Sequence, residues 1–168
     1  MKNIIEPLPR EEIYAELTPD KLLRKTNKGN NEIYVITYQD SPAIMHEVGR
    51  LREITFRDAG GGTGKETDID IYDTAESPYK QLIVWDPDAK EILGGYRYII
   101  CAEAPKDKHG NVILATSHLF DFSQKFIDEY LLHSLELGRS FVQPAYQSSK
   151  AGAKALFALD NLWDGLGA

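Results

Sequence analysis

At 168 residues, 42% of them hydrophobic, the chain is long enough to bury one sizeable core and short enough that a single domain is the default. A formal net charge of −7 weighs against general nucleic-acid binding, which clusters of Lys and Arg drive. The single cysteine, Cys101, rules out an internal disulfide, and no apolar run has the length of a signal peptide or a membrane span, so the expectation is a soluble cytoplasmic protein.

Residues 1–31 are polar, carry Pro7, Pro9 and Pro19 and end in NKGNN. They read as an N-terminal extension around a short helix near Asp20 to Lys25. The run DKLLRKTNK (20–28) reads first as a solvated face and second as a lure for an acidic partner. The folded domain is expected over 32–168. EIYVITY (32–38) is rich in β-branched and aromatic residues and reads as a strand. Ser41 before Pro42 marks a helix start, and Ile44, Val48, Leu51 and Thr55 recur at helical spacing through residue 57.

RDAGGGTGKET (57–67) looks like a phosphate cradle and fails as one. Ala59 stands where the first glycine belongs, Glu66 follows Lys65, and a helix precedes it instead of a strand. A mobile linker is expected. In DIDIYD, an extended backbone puts Asp68 and Asp70 on one side. QLIVWD and EILGGYRYIICAE pair as a hairpin across PDAK, with Cys101 a buried, inert thiol. VILATSHLF reads as a strand, SQKFIDEYLL as a helix from Ser123, and SLELGRSFVQP as a strand stopped by Pro144. SSKAGAKALFALDNLWDGLGA is an amphipathic helix with Leu156, Leu159, Trp163 and Leu166 on one side. This order is that of an α/β or α+β layer structure.

Common chemistries fall away. HEVGR places Arg50 where a zinc-protease helix needs its second histidine; His109, His118 and His133 are scattered and read as loop or surface residues; no metal site is expected. No Gly-x-Ser-x-Gly elbow exists. What stands out is charge in apolar settings: Arg52 one turn from Phe56, Arg97 inside GGYRYIIC, Glu136 and Arg139 inside LELGRSF. Desolvation makes such residues pair, either as a structural ion network or as a site.

The ordered pattern Leu51-Arg52-x-x-x-Phe56, Asp68-x-Asp70-x-Tyr72-Asp73, Gly94-Gly95-Tyr96-Arg97 and Glu136-Leu137-Gly138-Arg139-Ser140, then Val142 and Pro144, resembles the GNAT-superfamily N-acyltransferases that make ornithine and glycine lipids. Acyl-homoserine-lactone synthases share a related pattern. YQSSKAGAKALFALDNLWDGLGA is similar to the Bacteroides proteins labelled hemolysin, which resemble glycine N-acyltransferases. The resemblance implies a GNAT-like mixed, mainly antiparallel central sheet flanked by helices. It implies transfer of a fatty acyl group, commonly 3-hydroxy, from an acyl carrier protein thioester to the amino group of a small amino acid. Acyl-ACP or acyl-CoA would then be a cosubstrate with no tightly bound cofactor, and peripheral contact with the inner face of the membrane stays open. At the superfamily's phosphate turn, Gln147-Ser148-Ser149-Lys150-Ala151-Gly152 carries lysine at the first glycine position, which suits a carrier-protein donor over coenzyme A. The chain stops at LWDGLGA, before the family's next strand, so truncation and an incomplete acyl groove are expected.

Amide formation from a thioester needs a neutral amine, a proton acceptor and donors facing the oxyanion, and no covalent enzyme intermediate. The proton falls to Glu136 first, with Asp70 and Asp73 as alternatives. Arg52, Arg97 and Arg139, with Phe56, bind the acceptor's carboxylate or order the acidic residues. Phe141, Val142, Gln147, Ser148, Ser149, Lys150 and Gly152 face the pantetheine or its phosphate. The glycine-rich loop is expected beside the acceptor pocket, ordering as substrate binds. Rival readings are a non-catalytic module that holds acyl chains or a carrier protein, and a signal synthase that consumes S-adenosylmethionine.

Overall fold

The computed structural model describes residues 1–147 and 153–167, at 153–156 and 159 the backbone alone. Five strands form one sheet in the order β1 (Leu22–Lys25), β2 (Glu32–Ile36), β3 (Lys80–Asp86), β4 (Glu91–Ile100) and β5 (Leu135–Val142), every pair antiparallel. Alternation along the strands divides the core. Tyr34, Ile36, Ile83, Trp85, Ile92 and Phe141 face α1 (Arg10–Glu16) and α2 (Pro42–Asp58), meeting Ile13, Ile44, Met45, Val48 and Leu51. Ile33, Leu82, Val84, Leu93 and Tyr96 face α5 (Ala153–Leu166), meeting Ala158 and Leu162. With both faces covered, β3 is buried along almost its whole length, which is why its sequence is a continuous apolar run. The architecture is the mainly antiparallel, helix-flanked α/β sheet expected.

Gly94 and Gly95 let the central strands close up. A Cβ at Gly94 would sit 2.5 Å from the Phe141 carbonyl oxygen, and one at Gly95 would sit 2.6 Å from that of Leu82. Any side chain there would push β4 off its neighbours.

Three local expectations give way. Residues 19–21 form a 3-10 turn and 22–25 are β1, because Leu22 packs against the α2-side core and the backbone pairs with β2 in place of coiling. VILATSHLF is no strand: Val112 makes one bridge with Lys106, and Ala115–His118 is a 3-10 turn over buried Leu114. Ser41 does not cap α2. Its hydroxyl donates to Asp40 and accepts from Lys21, while the carboxylate of Glu16 takes the amides of Ala43 (3.0 Å) and Ile44 (2.8 Å). DIDIYD is extended as far as Asp70, which caps α3 (Ile71–Thr74), and Asp68 and Asp70 both meet Arg139.

Cys101 is buried beside Tyr79, Ile99, Leu114 and Leu131, and burial pushes its thiol up, as expected of an inert cysteine. The helix from Ser123 is α4 (Gln124–Glu129), with the Ser123 hydroxyl accepting the Phe126 amide at 3.2 Å. No described helix is long and apolar enough to cross a membrane.

Candidate active site

The site starts from one turn of helix. Asp70 and Asp73 form a capping box: Asp70 accepts the Tyr72 amide at 2.9 Å and Asp73 accepts the Asp70 amide at 3.0 Å. The box fixes both carboxylates, and the arginines gather on them. Arg97 of β4 donates through Nη1 to Asp70 Oδ1 at 2.8 Å and to Asp73 Oδ2 at 3.3 Å. Arg52 of α2 reaches Asp73 at 3.4 Å and donates to the amide oxygen of Gln81, which itself donates to Asp73 at 2.9 Å. Gln81 and Arg97 are cross-strand partners, so the sheet register delivers them together. Arg139 of β5 stands 3.1 Å from Asp68 and 3.8 Å from Asp70, its guanidinium over the Phe56 ring at 5.9 Å.

These contacts set the charges. Burial opposes ionisation of Asp70, but hydrogen bonding and charge from Arg97 outweigh it and hold the carboxyl below its usual range. Burial likewise opposes the charge on Arg97, and Asp70 and Asp73 more than compensate. Asp68 goes the other way: desolvation raises it despite Arg139. For Arg52, desolvation wins over Asp73 and lowers the guanidinium.

A β-bulge brings Glu136 and Arg139 to the same side. Strict alternation would send positions 136 and 139 to opposite faces of β5. Between the pairs Gly95–Phe141 and Arg97–Gly138, two residues of β5 oppose one of β4, and Arg139 takes a left-handed φ of 53°. Both side chains then line a cavity of about 380 Å³ with Asp70, Tyr72, Arg97 and Gly138; the opposite wall is Ala115, Thr116, His118 and Leu119. Glu136 Oε2 and Arg97 Nε are buried without a hydrogen-bond partner, and Arg139 Nε meets Asp68 Oδ2 at 3.1 Å as an ion pair without hydrogen-bond geometry. An unsatisfied donor and an unsatisfied acceptor around one cavity are what a polar ligand would complete.

The expected residues therefore divide. Asp70, Arg97, Glu136 and Arg139 line the cavity. Arg52 and Asp73 are fully buried behind it and brace its wall, so neither is placed to touch a ligand or take its proton. Phe56 packs against the α2-side core and under Arg139. The Phe141 ring lies in that same core, facing away from a donor groove, because position 141 alternates inward past the bulge. Val142 packs toward α5, and its carbonyl accepts from the exposed Gln147 side chain. Ser148, Ser149, Lys150 and Gly152 lie outside the described residues.

The glycine-rich loop lines no part of the cavity and is not a free linker. Glu53, fully buried on α2, accepts from the Thr63 amide and hydroxyl and the Gly64 amide, at 3.0, 2.6 and 2.8 Å.

Residues 51–156 match the family described as the acetyltransferase (GNAT) domain, a span that holds every side chain of the cavity. The chain belongs to the GNAT family. Over all 168 residues it is 64% identical to a protein of Phocaeicola vulgatus and 63% identical to one of Bacteroides thetaiotaomicron, each named glycine N(alpha)-acyltransferase. It spans 52% and 50% of their lengths, about half of each. No solved structure matches. Within this GNAT chain, the sequence reading missed Gln81, Tyr79 and the 115–119 wall, and it gave Tyr72 of the quoted motif no role. Gln81 had a signal, a polar residue in phase with buried Ile83 and Trp85; the wall had none, since its place depends on contacts far along the chain.

Proposed function

We propose that this chain carries the acceptor site of an N-acyltransferase that moves a fatty acyl group, 3-hydroxy in the family's usual donors, from an acyl carrier protein thioester to the amino group of glycine or a similar small amino acid. The observation that carries the reading is the cavity that Glu136, with a buried Oε2 lacking a hydrogen bond, shares with Arg97, whose Nε–H also lacks one, and with Arg139.

The chemistry divides among those groups. Arg139 is the half-exposed arginine, held by Asp68 and Asp70 without filling its donors, and it grips the acceptor's carboxylate. Glu136, three residues away on the bulged strand, takes the proton of the amine. The freed amine attacks the thioester carbonyl carbon, the C–N bond forms, the C–S bond breaks, and the thiolate leaves as thiol with the second proton shed by the attacking nitrogen. Arg97 holds Asp70 and so the placement of Arg139. A cavity of about 250 Å³ between β5 and α5, lined by Tyr96, Leu137, Leu162, Trp163 and Leu166, is apolar enough for the acyl chain, and Leu137 borders both cavities.

The test is product detection by mass spectrometry after incubating the chain with an acyl carrier thioester and an amino-acid mixture. N-acylglycine is expected, and Glu136→Gln is expected to lower kcat about 100-fold or more. Donor binding without any N-acyl amino acid would replace this reading with that of a non-catalytic binding module.

A further inference from the structure

We infer that His118 is the proton carrier between Glu136 and bulk water, an inference that rests on the acyl transfer proposed above. The stoichiometry leaves a proton for such a group to carry. A zwitterionic amino acid enters with three protons on nitrogen; the amide keeps one, the departing thiolate takes one, and one leaves for solvent in each turnover. Glu136, half-buried on the cavity with its Oε2 buried, accepts that proton and must be reset before the next cycle.

His118 is placed to reset it. It ends the 3-10 turn Ala115–His118, lines the same cavity as Glu136 and is exposed to solvent on its other side. Its ring meets that of Tyr72 edge-on, centroids 6.0 Å apart. The turn is mounted on the catalytic wall: the Ala115 amide donates to the Tyr79 hydroxyl at 2.9 Å, and the Tyr72 hydroxyl donates to the Leu114 carbonyl at 3.5 Å. Tyr72 and Tyr79 are the rings over which Arg97 lies, at 5.4 and 5.2 Å. The groups that fix Arg97 thus fix His118.

The other titratable and charged groups on the cavity, among the described residues, are Asp70 and Tyr72 beside α3, Arg97 on β4, and Glu136 and Arg139 on β5. Arginine stays protonated. Asp70 is engaged by Arg97, and Tyr72 donates to Leu114. An imidazole is the one remaining type of side chain that exchanges protons readily near neutrality.

The test compares the 168-residue chain with His118→Ala and His118→Gln in dilute, imidazole-free buffer, using acyl carrier thioester and glycine. The expected result is a fall in kcat of about 10- to 100-fold, a glycine KM within about twofold, and recovery of kcat on adding imidazole. Unchanged kcat in both variants, or a loss that imidazole does not restore, overturns the carrier role while leaving acyl transfer standing. Absence of product from the wild type defeats acyl transfer itself, and the carrier role with it. The exposed position of His118 leaves the core untouched, and matching thermal unfolding of the three proteins separates a lost proton path from a lost fold.

Discussion

Asp73 and Arg139 carry opposite obligations in one network. Asp73 is fully buried and answers to Arg52, Arg97, Gln81 and the Asp70 amide, so it belongs to the frame. Asp73→Asn leaves the buried Arg52 guanidinium without its ion partner and is expected to cost about 3 kcal/mol of stability, measured as a lowered urea midpoint at unchanged slope. Arg139 is half-exposed on the cavity, and in the proposed function it grips the ligand. Arg139→Lys keeps the charge and loses the two-pronged grip. Its expected effect is a rise of about 10- to 100-fold in the KM for the amino acid with kcat within a few-fold, read from steady-state kinetics at saturating acyl donor. An equal KM in the two proteins would assign the carboxylate elsewhere.

At the scale of elements, loops here are held by long-range carboxylates. Glu16 reaches from the end of α1 to cap α2, and Glu53 reaches from α2 to hold the 63–64 turn. Burial opposes the ionisation of Glu53, but Thr63, Arg57 and the Thr63 and Gly64 amides outweigh it and hold the carboxyl at about 2, against an ordinary 4.5. A depressed folded-state value means stability that is fully present above the unfolded value and lost as pH falls through the folded one. Glu53→Gln should therefore cost about 2 kcal/mol at neutral pH, with the gap to wild type closing between about pH 4.5 and pH 2. Chemical unfolding across that range, with hydrogen exchange at the Thr63 and Gly64 amides, checks both halves. These carboxylate caps explain a failure of sequence reading: glycine and serine announce a loop or a helix start, but nothing local names a partner many residues away. The same holds for the bulge at Arg139, which hydrophobic alternation does not encode and which decides that Glu136 and Arg139 share a cavity.

Across the whole molecule, the central strands were legible because both of their faces are covered, and runs such as KQLIVWD and EILGGYRYII have no other stable use, whereas the exposed edge strand β1 was not. The site was legible in part for a related reason. Charges embedded in apolar strands and helices had to find one another, and Arg52, Asp68, Asp70, Asp73, Arg97 and Arg139 did. Burial then separated the bracing residues from the lining ones, a distinction that one-dimensional spacing does not contain. In the proposed function, the cavity beneath the bulge receives the amino acid by its carboxylate. Amide chemical shifts of the isotopically labelled chain, recorded while glycine is added, test this most directly. The claim predicts saturable shifts concentrated at Gly138, Arg139 and Thr116 that Arg139→Lys weakens. Saturable shifts confined to any other part of the molecule, or none up to the highest glycine concentration, would contradict it.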